Sequence, residues 1–378
     1  MSKLRPICAA AAVLLLSFVP SLQAATPAMT ASSSELVDLG VRPASVSVAA
    51  DGASYAAAYD DRLSANALRF AERLNGRWTS TVVASTIAGR RVGREPQLAI
   101  SHTGIRLIGF RTDAVLDPTL APGGTLYAAR SNRGGPWIVD TIDTNGFGEA
   151  VAFDHDGHPA IAYLARTGPT NQAEVRLARL SGGVWQITHL DMTTYREAPG
   201  GSNASSVGLA FDQAGKPWVS FVDSASHSVR LVTPGLPSIR VGDAPPNAAR
   251  AVVAFGPGGV AAVVAAGLVG DNEPLRLLYR ADTGRWRGDQ VGESGSSAPT
   301  IVSFSGRRPV IAFRDPQTVS LATPSFAGTY AFETVLKQAA PPSSRVSGSL
   351  GAARVGGDVG VALVSPKGLL EFSSRLLE

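Results

Sequence analysis

Arginines and carboxylates gather at recurring places in this chain of 378 residues. Asp60, Asp61 and Arg62 follow Tyr59, while Arg111 and Asp113 follow Phe110. Asp223 comes after Phe221, and Arg314 with Asp315 after Phe313. A second group, Arg94, Glu95, Glu149, Tyr195, Arg196, Glu197 and Arg250, comes from the connections that lead from one repeating unit into the next. Arginine presents a planar fork of donors suited to a carboxylate, and carboxylates accept from hydroxyls or carry protons. A converging set of this kind would hold a saccharide or an anionic group. The plainer alternative, residue by residue, is a solvated loop rim braced by surface ion pairs.

Other candidate chemistry is weaker. The stretch "DHDGHP" clusters Asp154, His155, Asp156 and His158, which are ligand types for a hard or transition-metal cation. It occurs once and lacks the regular acidic spacing of a calcium loop, so it is expected to be an ordinary polar turn. His102 in "SHTG" occupies the equivalent turn of the preceding unit; His189 and His227 have no partner visible in the sequence. "VAFGPGGVAAVV" is glycine-rich, but no Lys or Ser/Thr follows as phosphate chemistry requires, so it is expected to be a hairpin. Neither G-x-S-x-G nor H-E-x-x-H occurs. No metal and no cofactor is expected.

The elements that must position these residues repeat. "FDHDGHPAIAY", "FDQAGKPWVSF" and "FSGRRPVIAF" share one layout of strand, tight Gly or Pro turn and second strand ending on an aromatic. Aligning on Tyr59, Phe110, Tyr163, Phe221 and Phe313 adds two degenerate units, with Ala265 and Leu363 in the aromatic's place. The seven anchors lie roughly 45 to 58 residues apart, the period of four-stranded propeller blades. Third strands read "ALRFAERL", "TLYAARS", "EVRLARL", "SVRLVTP", "LRLLYRA", "TVSLATP" and "LLEFSSRLL". Trp78, Trp137, Trp185 and Trp286 each sit just past a hairpin glycine, where a fourth strand opens. That fixed place suits packing between blades rather than stacking on sugars.

The last unit stops after three strands, at "LLEFSSRLLE", and the orphan strand "SELVDLG" precedes the first unit. Each accounts for the other if the early strand completes the last blade and leaves no open edge. The expected fold is all-β: a seven-bladed β-propeller over residues 34–378, closed by an N-terminal strand that completes the last blade. Short turns join strands one to two and three to four. The longer polar connections fall on the opposite face, where binding residues on a rigid scaffold usually sit.

Residues 1–24 read as a signal peptide, with Lys3 and Arg5 ahead of an apolar run too short for a membrane span and small residues at the exit. Residues 25–33 read as a flexible lead-in. Cys8 is the only cysteine, so the mature chain would hold no disulfide and no thiol chemistry. The net charge of +4 falls to about +2 once Lys3 and Arg5 leave, and no basic block favours nucleic acid. An exported monomer is expected, periplasmic or extracellular, with no integral membrane segment after cleavage.

The units resemble the repeats of secreted bacterial propellers of the sialidase-like group, over essentially the mature chain. That group carries a Ser-x-Asp-x-Gly-x-x-Trp turn between third and fourth strands. The matching turns "RLNGRW", "SNRGGPW", "LSGGVW" and "ADTGRW" keep the Gly and Trp but lose the Ser-x-Asp half, Asp282 excepted. Family sialidases also open with Arg-Ile-Pro; "GVRPASVSVAADG" puts Arg42 in a similar spot without the Ile. The resemblance implies three carboxylate-gripping arginines, a Tyr–Glu nucleophile pair and an Asp acid/base, a set that no spacing identifies here. The expectation is therefore a ligand-binding or interaction protein whose long-loop face meets a glycan or an envelope protein. The alternative is a divergent glycoside hydrolase or lyase acting at the central pocket.

Overall fold

The computed structural model describes residues 35–38, 43, 45–61, 66–112, 124–168, 171–196, 205–267, 275–280, 284–292, 297–314, 318–325, 329–337, 350–364 and 369–377. They form seven four-stranded antiparallel sheets. Six are simple meanders: residues 46–84 (blade 1), 94–143 (blade 2), 146–194 (blade 3), 208–243 (blade 4), 250–291 (blade 5) and 297–337 (blade 6). Blade 7 takes three strands from residues 350–376 and its outermost strand from Glu35–Asp38. Glu35 faces Phe372 and Leu36 faces Glu371 across that last pairing. The expected ring and its closure are both present.

First strands line the axis, and each touches the first strands of the two neighbouring blades, with Leu350–Val355 returning to Val46–Asp51. Small residues permit this crowding. A Cβ on Gly351 would lie 2.5 Å from the backbone nitrogen of Val48, so blade 7 can approach blade 1 there only as glycine. Second strands are enclosed by blades on both sides, which explains their unbroken apolar runs. Arg106–Arg111 and Ala261–Ala266 are buried at every position. Fourth strands face solvent on the outside, as the alternating exposure of Arg77–Ala84 shows.

The tryptophans staple neighbouring blades together. Trp78 meets Phe372 of blade 7 edge-on at 5.1 Å, and Trp137 meets Phe70 of blade 1 at 5.4 Å. Trp185 packs on the core shared with blade 2, and Trp286 on the core shared with blade 4. Two of them also donate their indole N–H to a carboxylate on the preceding blade's outer strand. Trp78 reaches Glu35 and Trp185 reaches Asp140, each at 3.1 Å. The closing strand is thus gripped by the device that joins blade 2 to blade 3. Among the described residues, no helix is long and apolar enough to cross a membrane.

Candidate functional site

The site is built from two irregularities in first strands. In blade 2 the ladder shifts register between Arg94 and Gln97, and Glu95 adopts a left-handed φ of 52°. In blade 3 it shifts between Phe147 and Ala150, with Gly148 at φ 63°. Such bulges re-aim a side chain that regular alternation would point elsewhere. Here they turn Glu95 and Glu149 toward one guanidinium. The backbone N–H of Glu95 is fixed by Ser45 Oγ of blade 1 at 3.2 Å, which ties the first bulge to its neighbour.

The guanidinium belongs to Arg111, the last residue of the second strand of blade 2, where it is 1% exposed. Arg111 Nη2 donates to Glu95 Oε2, and its Nε stands 3.5 Å from Glu149 Oε2. Arg94 approaches Glu95 at 3.8 Å. Glu149 fits because position 109 is glycine: a Cβ there would come within 3.3 Å of Glu149 Cγ and 2.8 Å of Val151 Cγ1. Neither carboxyl oxygen of Glu149 has a donor in hydrogen-bonding geometry.

These surroundings drive the two carboxyls apart. Burial pushes Glu149 up to about 7, helped by the nearby Glu95 charge and only partly opposed by Arg111, by its own nearby backbone N–H and by Arg94. Burial also acts to raise Glu95. There the charges of Arg111, Arg94 and Arg250, with the hydrogen bond from Arg111, prevail and hold it below the ordinary glutamate value.

A stability consequence follows from Glu149. Between its ordinary value of 4.5 and about 7, the folded protein keeps a proton that the unfolded chain has released. Stability therefore falls as pH rises through that window, by up to about 1.4 kcal/mol per unit. The Glu149→Gln variant is expected to lose less stability than the parent between pH 5 and pH 8, read from melting temperatures. Parallel profiles for the two proteins would refute the assignment.

Glu149 and Arg250 both line an axial cavity of about 230 Å³ walled by first strands, with Ser47, Gln97, Thr300 and Gly351 among the other contributors. Its mixed wall of small apolar and polar groups has room for one sugar residue rather than a drug-sized ligand, which needs roughly 300 Å³ or more. A shallower depression of about 670 Å³ lies over the short turns of blades 1 to 3, lined by His102, Asp154 and His155.

The remaining sequence candidates go elsewhere. Asp60 and Asp61 are buried; Asp60 accepts from the Ser45 backbone N–H at 2.8 Å, and Asp61 pairs with Arg69 Nε at 2.9 Å. Asp223 accepts from the Thr194 hydroxyl at 2.6 Å and so joins blades 3 and 4. Arg196 lies beside the Pro246 carbonyl, and its backbone N–H donates to Ser205 Oγ at 2.8 Å. Tyr195 is buried edge-on to Phe147 at 4.9 Å under the Arg166 guanidinium, which makes it a packing residue. Arg314 ends the second strand of blade 6, the place Arg111 holds in blade 2, and is 2% exposed. Arg42, Arg62, Asp113, Glu197, Asp282 and Asp315 lie outside the described residues.

The "DHDGHP" stretch folds as a turn. Asp154 Oδ1 accepts from the backbone N–H groups of Asp156 and His158, and Oδ2 accepts from Arg179 at 2.7 Å. Asp212 does the same in blade 4, capping Ala214 and Lys216 and taking the Trp218 indole N–H at 3.0 Å. Donor atoms of Asp154, Asp156 and His158 do lie within 4.8 Å of one another. The recurrence in blade 4, without the histidines, accounts for the aspartate by turn geometry alone.

No protein-family model and no curated protein matches this sequence. Solved structures share the fold. Virginiamycin B lyase from Staphylococcus aureus superposes with a TM-score of 0.55 at 15% identity, over 91% of this chain and 99% of that one. An α-L-arabinanase from Penicillium chrysogenum gives 0.50 at 15% identity, over 74% and 92%. An α-L-arabinofuranosidase from Fusarium graminearum gives 0.50 at 13%, over 74% and 92%. At such identities the likeness shows the propeller fold alone, because one fold hosts many functions.

Proposed function

We propose that this protein is an exported β-propeller that binds an acidic saccharide at the axial cavity, through Arg111, Glu95, Glu149 and Arg250. One observation carries the reading. Glu149 is a buried carboxyl on the cavity wall whose oxygens meet no hydrogen-bond donor, beside arginines that outnumber the carboxylates. A buried acceptor left in that state costs stability, and sites that retain one commonly use it for a ligand. Hydroxyls of a sugar are the fitting donors, and the excess of Arg94, Arg111 and Arg250 over Glu95 and Glu149 favours a ligand with a negative group.

The test is a glycan array of the purified chain carrying uronic-acid and neutral oligosaccharides, followed by calorimetry on the hits. Uronic-acid glycans are expected to bind, and Arg250→Ala to weaken them at least tenfold, the loss of one charge-assisted hydrogen bond. Retention of neutral glycans only, or indifference to Arg250→Ala, would reject the reading.

A second reading, acid–base catalysis on a glycosidic or related bond, is favoured by the opposite displacement of Glu95 and Glu149. Paired carboxyls pushed apart in this way can serve as an ionised and a protonated partner. Turnover of chromogenic uronides by the parent, abolished in Glu149→Gln, would establish this reading over simple binding.

A further inference from the structure

Glu149 stands at the junction of the cluster and the cavity, and among the described residues the charged groups that face it can be named. Arg111 comes from the second strand of blade 2, and Arg94 and Glu95 from its first strand. Arg250 enters from the first strand of blade 5 and acts on the cluster through Glu95. Blade 4 packs on the same strand through Gly208–Phe211, which carries no charge. On Pro159–Arg166, which pairs with the Glu149 strand Gly146–Phe153, Arg166 is engaged over the rings of Phe147 and Tyr195. Arg111 is therefore shared by two carboxylates, and Glu149 is the less supported of them, with only the more distant Arg94 and its own backbone N–H besides.

An anionic group arriving beside Arg250 and Glu149 on the cavity wall brings a third negative charge to the cluster around that shared guanidinium. Glu149 is the member with least to lose by giving up its charge, because neither of its oxygens accepts a hydrogen bond. Once protonated it gains an O–H that can donate to the incoming carboxylate. The slot left by Gly109 holds its stem in place in either form. Resting on the axial-site reading given above, we infer that binding of an anionic sugar at the axial cavity takes up one proton from solvent, and that Glu149 receives it.

No redox or covalent step is involved: a solvent proton joins one Glu149 oxygen, and the sugar carboxylate stays ionised against the arginines. Because free Glu149 titrates near neutrality, the uptake is read most easily between pH 7 and pH 8, where the free group has given up half or more of its proton. Proton uptake makes affinity fall with rising pH, approaching about tenfold per unit where a full proton is bound.

The experiment is titration calorimetry of the full chain with D-glucuronate, and with D-glucose as the uncharged arm. It is run at pH 7 and pH 8 in phosphate and in Tris, whose ionisation heats differ. Glucuronate is expected to bind with a heat that depends on the buffer, with uptake between about half and one proton and an affinity several-fold weaker at pH 8. In Glu149→Gln, which removes one group of the site and should weaken binding, the buffer dependence and the pH slope of the binding that remains should disappear. A buffer-independent heat in the parent overturns the inference and leaves the axial-site reading standing; so does uptake that survives unchanged in the variant. Absence of binding by both sugars rejects the site itself, and the inference with it. The parent's buffer dependence decides the matter even if the variant does not fold.

Discussion

Replacing Arg111 with alanine is expected to lower the stability of the fold by about 3–5 kcal/mol, the cost of stripping one partner from a buried ion pair. The side chain is among the largest fully buried ones in the protein and holds Glu95 and Glu149 on either side. Without it Glu95 loses its hydrogen-bonded counterion, and both carboxyls must be desolvated unaided or protonated. Lysine should restore only part of the loss, since an ammonium cannot address two carboxylates with a rigid fork. Adding Glu95→Gln to Arg111→Ala should recover stability, because the orphaned charge goes with its partner. Thermal unfolding at pH 7 and pH 5 measures all three, and the deficit of Arg111→Ala should shrink at the lower pH. A deficit below about 1 kcal/mol would mean that the cluster is hydrated and not the enclosed pair described here.

Removing Glu35–Asp38 is expected to have an effect as large, through a different cause. This strand supplies the outer edge of blade 7, buries Val37, and lets Glu35 accept from Trp78 and pair with Arg73 Nε at 2.6 Å. Burial of one valine is worth about 1.5–3 kcal/mol, and each lost hydrogen bond about 1. The sum is a large fraction of the 5–15 kcal/mol that holds a typical domain together. The deletion also bares the backbone of Leu370–Leu376, an open edge that invites pairing with a second molecule. A fall in melting temperature of several degrees and new oligomers on size exclusion are the expected results. A monodisperse variant melting like the parent would show that blade 7 closes without its borrowed strand. Glu35→Ala, which removes the acceptor but keeps the strand, should produce the stability loss in part and the oligomers not at all.

The ring was legible because packing between blades asks each unit for the same thing. Tyr59, Phe110, Tyr163, Phe221 and Phe313 recur since each fills a space enclosed by neighbouring sheets. Where Ala265 and Leu363 replaced the aromatic, strand lengths still marked the blade. Glu95, Glu149 and Arg111 could be named as candidates, but not as a cluster. Asp61 and Arg111 end equivalent second strands, yet Asp61 finds Arg69 on its own third strand. The third strand of blade 2, Leu126–Ser131, offers no acid, so Arg111 turns to the first strands instead. That convergence depends on bulges at Glu95 and Gly148, which break the two-residue alternation on which a strand's facing is judged. An arginine ending a second strand whose third strand offers no acid is the signal that could have pointed to the first strands of its own and the next blade. The seven-bladed propeller that the repeats announced is present, while their resemblance to the sialidase-like group is matched by no family model.

Among the described residues blade 7 alone joins segments from far apart in the polypeptide, and this sets the order in which the molecule can mature. The other blades pair strands that are neighbours along the chain, so their hairpins can form early and locally. Glu35–Asp38 must wait for Leu370–Leu376, and bringing them together fixes the ends of nearly the whole polypeptide at once. Until that moment the protein is an arc with two bare flanks, the species most at risk of sticking to its own kind. How quickly the arc finds its own end, rather than how fast any blade folds, governs the yield of closed rings.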